Sequence, residues 1–381
     1  MKNAFITFYN VYKDGTVELS NGFTFINHLV EGEHFFIRKD FNKDELIDKL
    51  SRYDRIYVTI IFLEQLVSIL EIIDNRWILG GRFFTNIPRE HWIKFVNPDL
   101  VYTSTFESYL KQPTSSILNS YWDKWINNPP CLKYSAICNS DCYWKKCKFC
   151  KITYKEKTNN ITRDIIKVYS QLPEYNFVSV ATLNSGALQP RIFVDLISEV
   201  QRNPKKNVLL RLWIRAEESI IDIFNQSTNL SGFVFNFGLE TFSQKAADIL
   251  GRGLKIKNIL QMMKTSIDKG AYVNVTYMSR LPFIDDEIFL ESIENIQWLR
   301  KNIKPESKIY FFDSYNIEWP SEEVAKEFGE YDVILRDNNG FMRHDKKIIS
   351  RLTENQNNMC SRIMCELNGY KIVNEKDYLS K

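Results

Sequence analysis

The chain has no marked charge of either sign: 50 Lys and Arg stand against 47 Asp and Glu, a formal net charge of +3 over 381 residues. Such a balance lacks the basic footprint of a nucleic-acid-binding domain and excludes that partner class. Long apolar runs are also missing. The longest, IYVTIIFLEQLVSIL from Ile56 to Leu70, is broken by Glu64 and Gln65. It falls short of the roughly 18 residues a membrane span needs and reads as a strand followed by a helix. The opening, MKNAFITFYNVYKDG, has no apolar secretory core, so the expectation is a cytoplasmic protein with reduced thiols. Histidine is scarce, with four residues, and no pair of titratable side chains stands out as a conventional acid–base dyad.

What the chain does have is a concentration of cysteine. Cys138, Cys142, Cys147 and Cys150 fall within thirteen residues of SAICNSDCYWKKCKFCKI, spaced C-x3-C-x4-C-x2-C. Thiolates this close ligate a metal or an iron–sulfur cluster in a reducing compartment. Four thiolates could close a tetrahedral zinc site, but zinc knuckles usually come in pairs across a longer loop, and no second knuckle follows. The other reading is a cluster held by three cysteines, with one iron left open. The triplet Cys142, Cys147 and Cys150 fits it, and Phe149 can pack over the cluster edge and keep solvent away.

The run DCYWKKCKFC resembles the cluster loop of radical S-adenosylmethionine (SAM) enzymes, whose usual spacing is C-x3-C-x2-C with an aromatic before the third cysteine. It is most similar to the widened loops of the subgroup that carries a cobalamin-binding-type domain in front. Four residues rather than three separate Cys142 from Cys147, so Cys142 is taken as the first ligand, with Cys138 as the substitute. The resemblance implies a [4Fe-4S] cluster on Cys142, Cys147 and Cys150, with SAM bound to the open iron. It also implies an electron donor such as flavodoxin or ferredoxin, and a 5′-deoxyadenosyl radical that takes hydrogen from a substrate. A zinc-holding, non-catalytic binding protein is the alternative from a different class.

With 44% apolar and 25% charged residues, the chain can build one large domain plus a smaller one. The first 95 residues alternate strand and helix: strands at NAFITFYN and HFFIR, a helix at DELIDKLSRY, a strand from Arg55, a helix from Leu63, and a strand RWILG ending in Gly80-Gly81. That is the grammar of a small parallel α/β, Rossmann-like layer. Its order resembles the cobalamin-binding-type domain of the same subgroup. The Asp-x-His-x-x-Gly loop that often places a histidine under cobalt is missing around His28, His34, His91 and His344. The expectation is a degenerate domain, with cobalamin as a less favoured cofactor.

Residues 96–130 read as a linker containing Pro98, Pro113 and Pro129-Pro130, and 131–320 as the main domain, opening at CLKYSAI with Cys131 as packing. Strands follow near residues 176–181, 208–215, 232–240, 271–278 and 308–312, each but the last followed by a helical stripe. About six strand–helix units predict a partial (βα)6, TIM-like barrel rather than a closed eightfold one, open on one side to a large substrate. Within it, the resemblance implies that Asn184, Ser185 and Gly186 present backbone groups to the methionine end of SAM. It also implies that Glu240, closing the strand GFVFNFGLE, contacts SAM or orients a loop. Arg215, at the end of VLLRLWIR, could pair with the SAM carboxylate. Arg280, Asp313, Tyr315 and Glu318 lie just past the last two strands, where each reads equally as a candidate substrate contact or as ordinary loop polarity. The tail from 321 to 381 reads as polar and helical. One of its cysteines, with Cys365 the choice, could donate a hydrogen atom to a substrate radical.

The aromatic share is high, with 26 Phe and 19 Tyr. Its default reading is a large core with Tyr hydroxyls reaching outward; the sharper one is an aromatic-lined groove for peptide. Resemblance to ribosomal-peptide maturases implies a peptide substrate. Cobalamin-dependent methyl transfer to a small molecule is the alternative reaction.

Overall fold

The computed structural model describes residues 2–11, 17–19, 32–38, 40–60, 63–81, 83–84, 89–103, 133–136, 144, 146–150, 166, 169–170, 178–182, 190–205, 208–314, 317–329, 331–334 and 347–374. The chain divides into two compact units, Met1–Tyr134 with Leu335–Lys346 and Ser135–Ile334 with Lys347–Lys381. No helix among the described residues is long and apolar enough to cross a membrane.

In the first unit, strands β1 (Asn3–Val11), β3 (Glu33–Ile37), β4 (Arg55–Thr59) and β5 (Trp77–Gly80) form a parallel layer in the order β3-β1-β4-β5, and β2 (Val17–Leu19) pairs antiparallel with β1. Helices α1 (Lys43–Leu50) and α2 (Leu63–Ile69) supply crossovers. The order is that of a doubly wound sheet: the chain leaves β1 for one neighbour, then crosses to the other. Ala4, Ile6, Ile56, Val58 and Leu79 are fully inaccessible in its core, with Trp77, Leu66 and Ile69 packed beside them. Two aromatic contacts extend that core beyond β5, where Phe84 meets Phe83 at 5.2 Å and Trp92 at 5.3 Å between ring centroids.

The Gly80-Gly81 pair at the end of β5 has a steric cause. Gly81 adopts φ +105, and a Cβ there would stand 2.5 Å from the Ile60 carbonyl oxygen and 2.8 Å from Thr59 Cγ2. Only glycine combines that backbone with so close an approach.

The division between the units falls within β6 (Lys133–Ala136). In the second unit, β7 (Val178–Thr182), β8 (Val208–Ile214), β9 (Phe233–Glu240), β10 (Tyr272–Met278) and β11 (Ile309–Ser314) lie side by side in chain order. The pairs from β7 to β11 are parallel. Helices α3 (Pro190–Arg202), α4 (Glu218–Gln226), α5 (Gln244–Ile249), α6 (Ile256–Asp268) and α7 (Asp286–Asn302) intervene along the chain. Their ends are written locally: Ser243 caps α5 by accepting from Ala246 N, and Asp285 caps α7 by accepting from Ile288 N.

The aromatic residues explain the packing. On β9, Phe233, Phe235 and Phe237 alternate onto one face and are at most 1% exposed. Phe235 lies 4.9 Å from Phe224 of α4 and 5.7 Å from Phe193 of α3, and those two rings stack at 5.4 Å. Each buried Phe contributes about 1.5–3 kcal/mol from area alone. Tyr hydroxyls at the margins find backbone partners, as in Tyr370 OH to Ile303 O at 2.5 Å and Tyr169 OH to Asn203 O at 2.8 Å. Burial pushes the Tyr370 hydroxyl up to about 12. The aromatic excess, as far as the described residues show it, serves the core.

The expectation of a helical tail is corrected. Beyond β12 (Glu318–Trp319) and the short helix α8 (Glu322–Lys326), β13 (Tyr331–Ile334) and β14 (Lys347–Ser350) complete a three-stranded antiparallel sheet in the order β12-β14-β13. Helix α9 (Glu354–Glu366) follows, and β15 (Lys371–Asn374) then adds to β11 in parallel. YDVI, KIIS and KIVN each carry a short β-branched pair of high strand propensity, a signal that the surrounding polar residues mask. Tyr370 fixes the return by packing edge-on against Phe311 at 5.5 Å.

Gly81→Ala is expected to destabilise the first unit by at least about 1 kcal/mol, because it forces a residue with a side chain into a left-handed conformation against a carbonyl. Thermal unfolding of the full chain, followed by far-UV circular dichroism, would show a lowered midpoint; an unchanged midpoint would contradict the steric account.

Candidate functional site

Strands of a parallel sheet covered on both faces by helices are apolar on both faces. The second unit departs from that rule on one face. Along β8, Val208, Leu210, Leu212 and Ile214 are buried, whereas Leu209, Arg211 and Trp213 are half-buried. Register places Trp213 beside Asn236 and Asn236 beside Asn274. Asn274 Nδ2 donates to Asn236 Oδ1 at 2.8 Å, and Thr276 Oγ1 donates to a Glu240 carboxylate oxygen at 3.0 Å. A row of amides, a hydroxyl and a carboxylate rising toward the carboxyl ends of parallel strands is the place where α/β proteins bind ligands.

Glu240 is held there by an irregular backbone. Its φ is +64, the one positive value for a non-glycine among the described residues. The β9–β10 register shifts at this point, so that Thr276 pairs with Gly238 but Tyr277 pairs with Glu240. The bulge passes over Leu239 and re-aims the carboxylate, a use of backbone strain that clusters at functional sites. The helix cap in this segment belongs to Ser243.

The cysteine loop is fastened to the turn that follows α5. Trp144 Nε1 donates to the Gly251 carbonyl at 2.8 Å, and the Lys148 amide donates to the Leu250 carbonyl at 3.0 Å. Cys147 and Cys150 close a turn, with Cys150 N donating to Cys147 O at 3.1 Å. Gly253 has φ +57, and a Cβ on it would run into the Trp144 ring. Lys148 pairs with Glu327 at 2.8 Å and lies over the Phe328 ring.

Two arginines converge on the loop. Arg252, 9% exposed, directs Nη1 to the Cys147 sulfur at 3.5 Å and Nη2 to the Gly238 carbonyl, and its guanidinium carbon stands 5.8 Å from the Phe149 ring centroid. Its Nε, also buried, has no partner among the described residues. Arg215 donates through Nη2 to the Arg252 carbonyl at 2.7 Å, pairs with Glu217 at 3.2 Å and stacks over Trp144 at 4.2 Å. Burial pushes the Cys147 thiol up, and the Arg252 and Arg215 cations oppose that rise. A buried sulfur beside two arginine guanidinium groups, with an N–H that has no partner among the described residues, suits an anionic, sulfur-ligated group.

Of the residues singled out from sequence, Cys147, Phe149 and Cys150 share this loop, Arg215 contacts it through Trp144 and Arg252, and Glu240 lies at the end of β9, whose Gly238 carbonyl Arg252 holds. Cys131, Cys138, Cys142, Asn184, Ser185, Gly186 and Tyr315 lie outside the described residues. No group of three metal-ligating side chains is found among those that are described. Cys365 is exposed on α9, and Cys360 on the same helix is buried. Asp313 is buried and accepts from Ser279 N at 3.1 Å, with its carboxyl pushed up by burial. Sequence reasoning passed over Trp144 and Arg252. The signal was available in Gly251-Arg252-Gly253, where two glycines with positive φ flank a basic residue.

The first unit offers a second candidate place. In a doubly wound sheet the ligand crevice lies at the switch point, here between β1 and β4. Thr59, the last residue of β4, is 4% exposed, and its hydroxyl has no partner among the described residues.

The chain matches no protein-family model and no curated protein sequence. Among solved structures it is similar to the cobalamin-dependent S-adenosylmethionine radical enzyme OxsB with aqua-cobalamin and S-adenosylmethionine bound, with a TM-score of 0.62 and 11% identity over 95% of this chain and 66% of that one. It is also similar to the radical S-adenosylmethionine methyltransferase TsrM from Kitasatospora setae with tryptophan substrate and a SAM analogue bound, with a TM-score of 0.57 and 9% identity over 96% and 88%. The same enzyme with cobalamin and a [4Fe-4S] cluster bound aligns at a TM-score of 0.57. The chain spans about two thirds of the length of OxsB. It therefore has the fold of cobalamin-dependent radical SAM enzymes.

Gly253→Ala is expected to cost about 1–2 kcal/mol through its left-handed backbone and to displace Trp144. Amide hydrogen exchange would then show faster exchange at Lys148, whose N–H is held by Leu250; unchanged protection would mean that Trp144 does not fasten the loop.

Proposed function

We propose that the chain is a radical SAM enzyme whose second unit forms a partial (βα)6 barrel around a [4Fe-4S] cluster and SAM. The observation that supports this most is the cysteine loop fastened by Trp144, Arg215 and Arg252 to the carboxyl ends of β8 and β9. Cys142, Cys147 and Cys150 would hold the cluster, and Phe149 would cover its edge. When bound, the cluster and SAM supply one-electron cleavage of the sulfonium, giving the 5′-deoxyadenosyl radical that takes hydrogen from substrate.

The chain's own residues bind, orient and exclude water. The Asn184-Ser185-Gly186 loop would present backbone groups to the methionine amino end. Glu240, fixed by Thr276 Oγ1, would accept hydrogen bonds from the cofactor. The Arg215 guanidinium is committed to Glu217, Trp144 and the Arg252 carbonyl, and in this reading it acts by positioning the loop. Tyr315 would contact substrate, and Cys365 would serve as the hydrogen-atom donor. The substrate we favour is a peptide, by analogy with ribosomal-peptide maturases, with a flavodoxin or ferredoxin as electron donor in the cytoplasm.

A second reading, cobalamin-dependent methyl transfer, is supported by the β3-β1-β4-β5 sheet with Thr59 at its switch point, and by the likeness to structures that hold cobalamin. A corrin spectrum after anaerobic purification with cobalamin would select it. A colourless protein with stoichiometric zinc would overturn both readings.

Cys147→Ala and Cys150→Ala are each expected to abolish cluster loading and 5′-deoxyadenosine formation, while Cys131→Ala leaves both nearly intact. Iron, labile sulfide and nucleoside analysis after anaerobic reconstitution checks this. Iron content that survives the first two changes would remove the ligand assignment.

A further inference from the structure

Arg252 has a role that the cysteine motif alone does not assign. Its guanidinium is buried, it donates to one of the expected ligand sulfurs and to a strand-end carbonyl, and Phe149 covers it on the side of the loop. Its backbone carbonyl is fixed in turn by Arg215, so the side chain starts from an anchored position. Arginine carries its charge at every accessible pH and presents N–H donors in a rigid fork. A buried cation at hydrogen-bond distance from a cluster thiolate favours the more negative, reduced state, because one added electron raises the negative charge on the sulfurs that the guanidinium faces. Lys146 and Lys148 lie on the same loop, but Lys146 is exposed and Lys148 is paired with Glu327, so solvent and a carboxylate weaken their fields.

We infer that Arg252 is a positioning residue that raises the reduction potential of the cluster held by Cys147, through its hydrogen bond to that sulfur and its buried charge. The inference rests on the radical SAM reading above and adds to it the element that sets how readily the cluster accepts its electron.

The test compares wild type with Arg252→Met, Arg252→Gln and Arg252→Lys after anaerobic reconstitution. Iron and sulfide content is measured first, then the midpoint potential by dithionite titration monitored by electron paramagnetic resonance. Arg252→Met is expected to load a cluster whose reduced-to-oxidised ratio at a fixed potential falls at least tenfold, a shift of ~59 mV for one electron. Arg252→Gln should fall in the same direction, and Arg252→Lys should lie between it and wild type. Absence of a cluster in wild type would defeat the functional reading itself. A loaded cluster with the wild-type midpoint in Arg252→Met, or in Arg252→Gln if the methionine variant fails to load, would overturn the inference alone. If no Arg252 variant loads a cluster although wild type does, the arginine is required for assembly rather than for the potential, and the inference as stated also falls.

Discussion

The second unit depends on a guanidinium facing a sulfur. Arg252 links the cysteine loop that follows β6 to the Gly238 carbonyl near the end of β9, and through its own carbonyl it takes a hydrogen bond from the residue just past β8. Three segments distant in sequence are thereby brought to one place at the carboxyl ends of parallel strands. Hydrogen bonds involving a charged group contribute about 1.5–3 kcal/mol each when both partners are satisfied, and an unpaired buried charge costs more. The arrangement therefore constrains the loop strongly while leaving one buried N–H without a partner among the described residues.

The rest of the unit serves that constraint. The phenylalanines of β9 anchor the sheet to α3 and α4 on one side, which leaves the opposite side free for Asn236, Asn274 and the Thr276–Glu240 pair. Alternation along the strand thus separates stability from chemistry: Phe233, Phe235 and Phe237 build the core, and Asn236 between them pairs with Asn274. The bulge at Leu239 is the exception, and it sets the Glu240 carboxylate at its angle.

Much of this order was readable in the chain. Alternating strands and helices with short polar turns gave the parallel layers, because hydrophobic period and turn chemistry act locally. The cysteine spacing gave the loop, because ligand geometry is also local. The contacts that fasten the loop were harder to read: Trp144 meets Gly251 across 107 residues of sequence, and Arg252 meets Cys147 across 105. Nothing in a local window reports such a pair; only the flanking glycines hint at an unusual backbone. The C-terminal strands were hidden for a related reason, since KIVN is too short to show a period and becomes a strand by pairing with β11.

The position of β15 has a consequence for how the chain is made. β11 ends at Ser314, and its outer neighbour begins at Lys371. While a ribosome translates the intervening stretch, the backbone N–H and C=O groups along one rim of the nascent sheet have nothing to bond to but water or another chain. Ordered synthesis from the amino end therefore leaves this rim open until late, and a newborn molecule stalled before Lys371 would carry a ready template for association with its neighbours.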